Sequence, residues 1–289
     1  MKLYIKRYGI IGVVVIALIA FFISRLGYFD KSAEPVDGAS VIFVDVGQGD
    51  CEIIRLEDGR NILIDAGTNE GEDELVKKIK DYGIEKFDVV IATHPHEDHI
   101  GGMDAVIDNF DIGCVYMPDV VTTTKTFENL LDSIENKNLE VKKAKAGVFV
   151  INEENISMVF VAPNSDKYDD LNNYSAVLKF TYGKCSFLFT GDAEKLSEKE
   201  MLENSMDVSA DVLKVGHHGS STSSGKSFIE AVNPKYAIIE VGQDNEYGHP
   251  HKETMEELEG VEIYRTDLQG DITAICDGDN IKITTKDGE

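Results

Sequence analysis

Short apolar runs, each closed by glycine or a polar cluster, recur along the chain from residue 40 onward. Their length and their content of Ile, Val and Phe are typical of buried strands. Asp58-Gly59 separates two of them and predicts a hairpin turn. Strands are predicted at 41–46, 51–56, 61–67, 87–92, 113–117, 176–182, 185–190, 211–215 and 236–241. Shorter strands are predicted near 140–150, 156–161, 261–265 and 271–276. Segments with helical periodicity lie between the later strands, at 70–82, 99–109, 125–136, 193–204 and 252–259. Hairpins followed by strand–helix alternation predict a mixed α/β sheet protein.

The first 29 residues follow a different pattern. Residues 9–24 carry no charge, and with snorkelling at Arg25 the apolar stretch reaches the ~20 residues that cross a bilayer. A cleaved signal peptide is the alternative, but the apolar run is long and no Ala-x-Ala-like site follows promptly. We therefore expect a single membrane anchor at 1–29, a polar linker at 30–39 and one catalytic domain at 40–289. Lys2, Lys6 and Arg7 precede the apolar stretch, which predicts an extracytoplasmic domain on the cell membrane.

The net charge of the chain disfavours nucleic-acid binding through a basic face. The chain has 28 Lys and Arg against 53 Asp and Glu, a formal net charge of −25. Such a surface repels polyanions at long range, so no basic nucleic-acid-binding face is expected. The four cysteines form no Cys-x-x-Cys pair and lie in or beside apolar runs, which predicts small buried side chains and does not require a disulfide.

One turn gathers unusual chemistry. Three histidines and two carboxylates lie between His94 and His99, directly after the strand at 87–92. Imidazole and carboxylate are the ligands that zinc and similar metals take. His94 and His96 project to the same side of an extended segment, whereas the adjacent Asp98 and His99 point differently. The alternatives are a solvated polar turn, a site for one metal and a site for two.

The remaining candidates also follow strands. All seven histidines of the chain lie just after predicted strands, and so do two further acids. Side chains at the carboxyl ends of parallel strands meet at one sheet edge, so we expect them to converge on one site. The candidates beyond the first motif are Asp65, Asp192, His217, His218, His249 and His251.

These residues give the chain a family resemblance. The pattern His94-x-His96-x-Asp98-His99 resembles the signature of metallo-β-lactamase-fold hydrolases, which are αββα sandwiches. Asp65 matches their first acid, Asp192 the acid shared by two metals, and His217 or His218 the last metal histidine. More narrowly, residues 43–50, 172–175, 190–193 and 214–221 resemble the C-terminal hydrolase domain of ComEC-type DNA-uptake proteins.

The resemblance implies a binuclear centre with one departure from the superfamily. Its ligands would be His94, His96, Asp98, His99, Asp192 and His218, with His218 favoured over His217. The superfamily's additional histidine is missing, because no histidine lies between His99 and His217; Asn172, Asn173 or Ser175 takes its neighbourhood. Two Zn²⁺ ions are the expected cofactors, with Mn²⁺ as the alternative where oxygen replaces nitrogen.

The implied function is hydrolysis of a phosphoester by metal-activated water. Predicted catalytic residues are Asp65, which orients the motif, together with Asp98, His217 and His249. His249 would contact phosphoryl oxygens or protonate the leaving group. Predicted substrate contacts are Asn173, Ser175, Ser220 and Ser221. The resemblance implies a phosphodiester substrate, with single-stranded DNA as one candidate. The alternatives are another phosphoester, of cell-wall or phosphocholine type, which the strong negative charge favours, and a binding module without catalysis.

Overall fold

A computed structural model describes residues 38–285. The predicted anchor at 1–29 and nearly all of the linker lie outside these residues. Among the helices of residues 38–285, none has the length and hydropathy needed to cross a bilayer.

The strands of residues 38–285 form two sheets. The first sheet has the order β15-β14-β1-β2-β3-β4-β5-β6, and β3 to β6 run parallel. Its strands are β1 Ala39–Phe43, β2 Glu52–Leu56, β3 Asn61–Ile64, β4 Lys86–Ile91, β5 Asp111–Met117, β6 Glu140–Lys143, β14 Ile272–Cys276 and β15 Ile281–Thr285. The second sheet has the order β13-β12-β11-β10-β9-β8-β7, and β10 to β13 run parallel. Its strands are β7 Phe149–Asn152, β8 Ile156–Phe160, β9 Leu178–Tyr182, β10 Cys185–Phe189, β11 Val212–Lys214, β12 Tyr236–Ile239 and β13 Glu262–Arg265.

Helices cover the outer face of each sheet. The α-helices are α1 Glu72–Asp81, α2 Glu97–Ile100, α3 Met103–Asn109, α4 Lys125–Asn136, α5 Lys195–Glu203, α6 Lys226–Val232, α7 Lys252–Glu257 and α8 Thr266–Gln269. Short 3₁₀ turns occupy Asn69–Gly71, Leu171–Tyr174 and Gly216–Gly219. Apolar side chains of α1, α3 and α4 pack on the first sheet, and those of α5 and α6 pack on the second. A third apolar cluster fills the space between the sheets, with Phe43, Phe180 and Phe189 among its members. The mixed α/β prediction and the αββα sandwich are thereby confirmed.

The structure differs from the sequence prediction in four places. The helix expected at 99–109 is divided at Gly101-Gly102, because these glycines pack against the backbone of residues 66–69. A Cβ on Gly101 would lie 2.2 Å from the backbone nitrogen of Asn69. The helices α6 and α8 and the edge strand β15 were not predicted, and all three are short.

One pair of cysteines is covalently joined. Cys185 at the start of β10 and Cys276 at the end of β14 form a disulfide, so the bond connects the two sheets. Cys51 and Cys114 are free and buried. The prediction that all four cysteines are buried is therefore confirmed, but it did not include the disulfide between Cys185 and Cys276.

Candidate metal centre

Asp65 is a strained residue that holds the 94–99 motif in place. Asp65 follows β3 and has a φ of 52°, a left-handed conformation that costs a non-glycine residue of order 1–3 kcal/mol. Its carboxylate accepts hydrogen bonds from the backbone N–H of Thr93 at 2.8 Å and from the Thr93 hydroxyl at 2.6 Å. The second bonded oxygen also lies 2.7 Å from Nδ1 of His99. Asp65 thus fixes both the strand end and one imidazole, the orienting role predicted for it.

The first group of donors joins the two sheets. His94 and His96 follow β4, and Asp192 follows β10; one donor atom of each lies within 4.8 Å of the others. Nε2 of His94 is 3.0 Å from Nδ1 of His96 and 3.8 Å from Oδ2 of Asp192. Two imidazoles and a carboxylate converging in this way suit a transition metal.

The second group lies beside the first. Asp98, His99 and His218 place one donor atom each within 4.8 Å of one another. Nε2 of His218 is 3.3 Å from Oδ2 of Asp98, and Nε2 of His99 is 3.1 Å from Oδ1 of Asp192. Asp192 therefore faces both groups, with a different oxygen toward His94 than toward His99. His217 approaches Oδ2 of Asp192 at 3.5 Å but does not join either group.

Three buried atoms of this cluster fit a bound cation. Nε2 of His99, Nε2 of His218 and Oδ1 of Asp192 are buried and have no hydrogen-bond partner, although such atoms are normally paired. Burial alone would lower the pKa of His218, yet the charges of Asp192 and Asp50 raise it to about 10. The carboxylates thus favour positive charge at this point, which a divalent metal would supply.

Three of the four ligand imidazoles, those of His94, His99 and His218, are supported at their other nitrogen. Nδ1 of His218 lies 3.0 Å from the carbonyl oxygen of Glu240 and 3.1 Å from Oδ1 of Asp50. Nδ1 of His94 lies 3.1 Å from the Thr93 hydroxyl. Such contacts select the ring tautomer and aim the free nitrogen at the metal position.

A buried ion pair lies beneath the second group. Nζ of Lys214, at the end of β11, is 2.5 Å from Oδ2 of Asp50 in the loop after β1, and both side chains are fully buried. Glu52 and Glu240 lie beside this pair. Burial and the charge of Asp50 raise the pKa of Glu240 to about 8, so Glu240 is mostly protonated at pH 7. The single charge of Lys214 then offsets the ionised carboxylate of Asp50, which supports His218.

The donor groups open into a cavity of about 590 Å³. Its lining includes His96, Asp98, Asp192, His217, His218, His249, Asn172, Tyr247, Glu97, Asp244 and Glu246. Lys and Arg are absent from this lining, among the residues described. The rings of Tyr247 and His249 stack at the rim with centroids 5.6 Å apart. Burial and the neighbouring His218 lower the pKa of His249 to about 4, so this imidazole is neutral at pH 7.

The predicted substrate contacts are not brought to the cavity wall. Ser175 is fully buried, and its hydroxyl accepts a hydrogen bond from the Asp192 backbone. Asn173 donates to Glu194 and accepts from the backbone of Ser197, so it anchors the start of α5. The Ser221 amide, expected to help bind an anion, donates to Nδ1 of His251 instead, and the Ser220 amide donates to the His217 carbonyl.

Two further side chains contradict expectations from the sequence. Glu97, the one carboxylate of the 94–99 motif to which the sequence assigned no role, accepts hydrogen bonds from the backbone and side-chain amides of Asn69 and so fastens the motif to the preceding turn. His251 binds the Ser221 amide and does not line the cavity.

Sequence reasoning missed Asp50 and Lys214 as parts of the site. Asp50 closes the glycine loop at 47–50, and Lys214 precedes the His-His pair by three residues. The available signal was a charged residue at the end of each apolar run. A lysine in a strand is nevertheless predicted to be exposed to solvent until its burial is known.

Comparison with known proteins agrees with this geometry. Residues 44–242 match the family model described as the metallo-beta-lactamase superfamily. The chain is 31% identical over 251 residues to ComE operon protein 3 of Bacillus subtilis, covering 80% of this chain and 32% of that protein. It is 28% identical over 259 residues to competence protein ComA of Neisseria gonorrhoeae, covering 88% and 34% respectively. The chain thus spans about a third of these relatives.

A solved structure shows the same fold. The metallo-beta-lactamase fold protein YhfI of Bacillus subtilis superposes with a TM-score of 0.54 at 12% identity, over 85% of this chain and all of that one. The family match extends over more than half of the 289 residues and includes both donor groups up to His218. The chain therefore belongs to the metallo-β-lactamase superfamily, whose fold implies a metal-dependent hydrolase.

Proposed function

We propose that the chain is a membrane-anchored phosphodiesterase that hydrolyses its substrate with two divalent metal ions. The observation that carries the proposal is that two donor groups share Asp192 and open on one cavity. Bound divalent ions lower the pKa of water to ~7 and stabilise the charge on phosphoryl oxygens. A pair of adjacent positions is typical of enzymes that act on phosphoesters.

The chain's own residues hold the substrate beside these positions. His249 lines the cavity and stays neutral at pH 7, because burial and the nearby His218 lower its pKa to about 4. A group with so low a pKa is almost entirely deprotonated at neutral pH and has no proton ready to donate, so it is a poor general acid there. Contact with a phosphoryl oxygen is therefore its favoured role, rather than protonation of the leaving group. His217 reaches the same cavity and lies 3.5 Å from Asp192.

Two substrate classes remain in competition. Similarity to competence proteins supports a nuclease-like activity on single-stranded DNA. The cavity lining supports a smaller phosphoester, of cell-wall or phosphocholine type, because it contains Glu97, Asp244 and Glu246 and no basic side chain among the described residues. Polyanions bind through neutralising Lys and Arg, which this lining does not offer.

The proposed location is the outer side of the cell membrane. The apolar segment at 9–24 would anchor the chain, as its charge pattern predicts. The disulfide between Cys185 and Cys276 supports an oxidising compartment for the catalytic domain.

Metal analysis and an activity screen on the purified 289-residue chain test the proposal. We expect two equivalents of zinc or manganese and turnover of bis(p-nitrophenyl) phosphate, single-stranded DNA or a phosphocholine ester. Replacing Asp192→Asn should abolish turnover, because both donor groups lose their shared carboxylate. Full activity in that variant, or no turnover of any substrate by the metal-loaded chain, would refute the proposal. A salt series separates the substrates, because DNA binding weakens steeply with salt.

A further inference from the structure

The first donor group is short of ligands. Among the His, Cys, Asp and Glu side chains of residues 38–285, three place donor atoms close together at this position: His94, His96 and Asp192. Zinc and manganese take at least four ligands in proteins, and one of these three is shared with the neighbouring position. A further protein donor at this place would complete the set.

The 3₁₀ turn Leu171–Tyr174 is fastened to two of these three donors. Ser175 directly after the turn accepts a hydrogen bond from the Asp192 backbone at 3.1 Å, and its hydroxyl lies 3.4 Å from Nδ1 of His94. The backbone N–H of Ser175 donates to the carbonyl of Asn172 at 3.0 Å. The Ser175 side chain therefore holds the turn against the first donor group, and the backbone hydrogen bond within the turn fixes the position of Asn172 relative to Ser175.

Asn172 presents an unused oxygen in this turn. The residue is only 7% exposed, and its Oδ1 is buried without a hydrogen-bond partner. Leaving such a group unpaired costs about 1–3 kcal/mol, so a buried amide oxygen without a partner calls for a ligand. Asn172 also lines the cavity together with His96 and Asp192.

The neighbouring polar side chains of the turn are committed elsewhere. Both side-chain atoms of the Asn173 amide are used, since Nδ2 donates to Glu194 at 3.2 Å and Oδ1 accepts from the Ser197 backbone at 3.2 Å. The Ser175 hydroxyl serves Asp192 and His94. Among these three candidates for the missing ligand, Asn172 alone keeps a buried acceptor without a partner.

We propose that Asn172 binds a divalent metal through Oδ1 and completes the position formed by His94, His96 and Asp192. An amide oxygen is a harder donor than an imidazole nitrogen. The resulting set of two nitrogens and two oxygens suits manganese better than an all-imidazole face does. The proposal requires metal binding but no particular substrate.

Calorimetric titration of the metal-free 289-residue chain with Zn²⁺ and, separately, Mn²⁺ tests this assignment. In Asn172→Ala, we expect one of two binding events to weaken by about tenfold or more while the other is unchanged. Asn172→Asp keeps an oxygen and adds charge, so it should bind at least as tightly as the wild type. Asn173→Ala is the matched control: it should lower thermal stability and leave both metal affinities unchanged.

A third variant keeps the test decisive if Asn172→Ala does not fold. Asn172→His restores an imidazole and should shift the ratio of Zn²⁺ to Mn²⁺ affinity toward zinc at one position. Wild-type affinities in Asn172→Ala, or an unchanged ratio in Asn172→His, would overturn the assignment. Loss of turnover with both metals bound normally would likewise overturn it and assign Asn172 to the substrate. Inactivity of the wild-type chain with two metals bound would count against the phosphodiesterase alone.

Discussion

Lys214 and Asp50 form an ion pair in the closed interior of the sandwich, with Nζ 2.5 Å from Oδ2 and neither side chain exposed. The other carboxylate oxygen of Asp50 lies 3.1 Å from Nδ1 of His218. The pair thus connects a strand of the second sheet, through a loop of the first, to an imidazole of the metal centre. The carboxylate of Asp50 therefore both neutralises Lys214 in the core and orients the ring of His218.

Replacing Asp50→Asn should damage both functions of this carboxylate. The buried ammonium of Lys214 loses its partner, and breaking a buried pair costs about 3–5 kcal/mol. His218 loses a charged support at Nδ1, so metal affinity should fall about 10–100-fold. Urea denaturation of the metal-free chain measures the first effect, and zinc titration measures the second.

Two controls separate the effects. Asp58→Asn removes an exposed partner of Arg60, and it should cost less than about 1 kcal/mol. In the double variant Asp50→Asn/Lys214→Met, the unpaired charge is gone, so much of the stability should return while the metal affinity stays low. Recovery of metal affinity in the double variant would show that Asp50 does not position His218.

Gly49 and Gly47 offer a matched pair in the loop after β1. Both have positive φ, 142° and 76°, so alanine is strained at either position. They differ in surroundings: a Cβ on Gly49 would lie 2.3 Å from the backbone oxygen of Asp98, whereas a Cβ on Gly47 would meet nothing within 4 Å. Gly49→Ala should therefore weaken metal binding, and Gly47→Ala should lower stability only. Equal metal affinities in the two variants would contradict the role assigned to this close approach.

The disulfide should matter for stability and not for the site. Cys185 and Cys276 lie at the opposite ends of their strands from the metal ligands, 91 residues apart in the chain. Serine at both positions should lower the free energy of unfolding by about 2–4 kcal/mol, while metal affinity stays unchanged. Denaturant titration with and without reductant measures the loss.

A thiol count provides the control for this prediction. Denatured chain secreted into an oxidising compartment should expose the two free thiols of Cys51 and Cys114, and four after reduction. Cys114→Ala should leave the response to reductant intact. Four reactive thiols before reduction would contradict the disulfide.

Glu198 should make stability depend on pH. Burial raises the pKa of Glu198 to about 7, although hydrogen bonds from the backbone N–H groups of Gly225 and Ser224 act to lower it. Between pH 4.5 and 7, the folded chain holds a proton that the unfolded chain has lost, so stability falls as pH rises, by at most about 1.4 kcal/mol per unit. Glu198→Gln resembles the protonated form and should remove this slope in thermal melts. Exposed Glu203→Gln on the same helix is the control, and an unchanged slope in Glu198→Gln would contradict the assignment.

The sequence predicted those features that leave a local signal. Strand ends carrying Asp65, the motif at 94–99, Asp192 and His218 could be read from apolar runs closed by metal-binding side chains. Parallel strands then bring these ends to one edge of the sandwich. Both donor groups consist entirely of residues that the sequence had singled out.

Features that depend on packing between distant segments could not be predicted. Lys214 carries a charge in a strand, and only the partner 164 residues away explains its burial. Cys185 and Cys276 pair across two sheets whose contact no local pattern encodes. Asn172 and Asn173 are adjacent and chemically identical, so the choice between them depends on which one the start of α5 uses.

The metal centre draws ligands from both sheets: four of them, between His94 and His99, follow β4, whereas Asp192 and His218 follow β10 and β11. Neither half of the chain could assemble a complete coordination sphere if it were expressed as a separate fragment. A bound ion would accordingly act as a non-covalent cross-link between the halves, at the edge opposite the disulfide. Metal binding is then coupled to the association of the two halves, and chelation should loosen the whole domain rather than the active site alone.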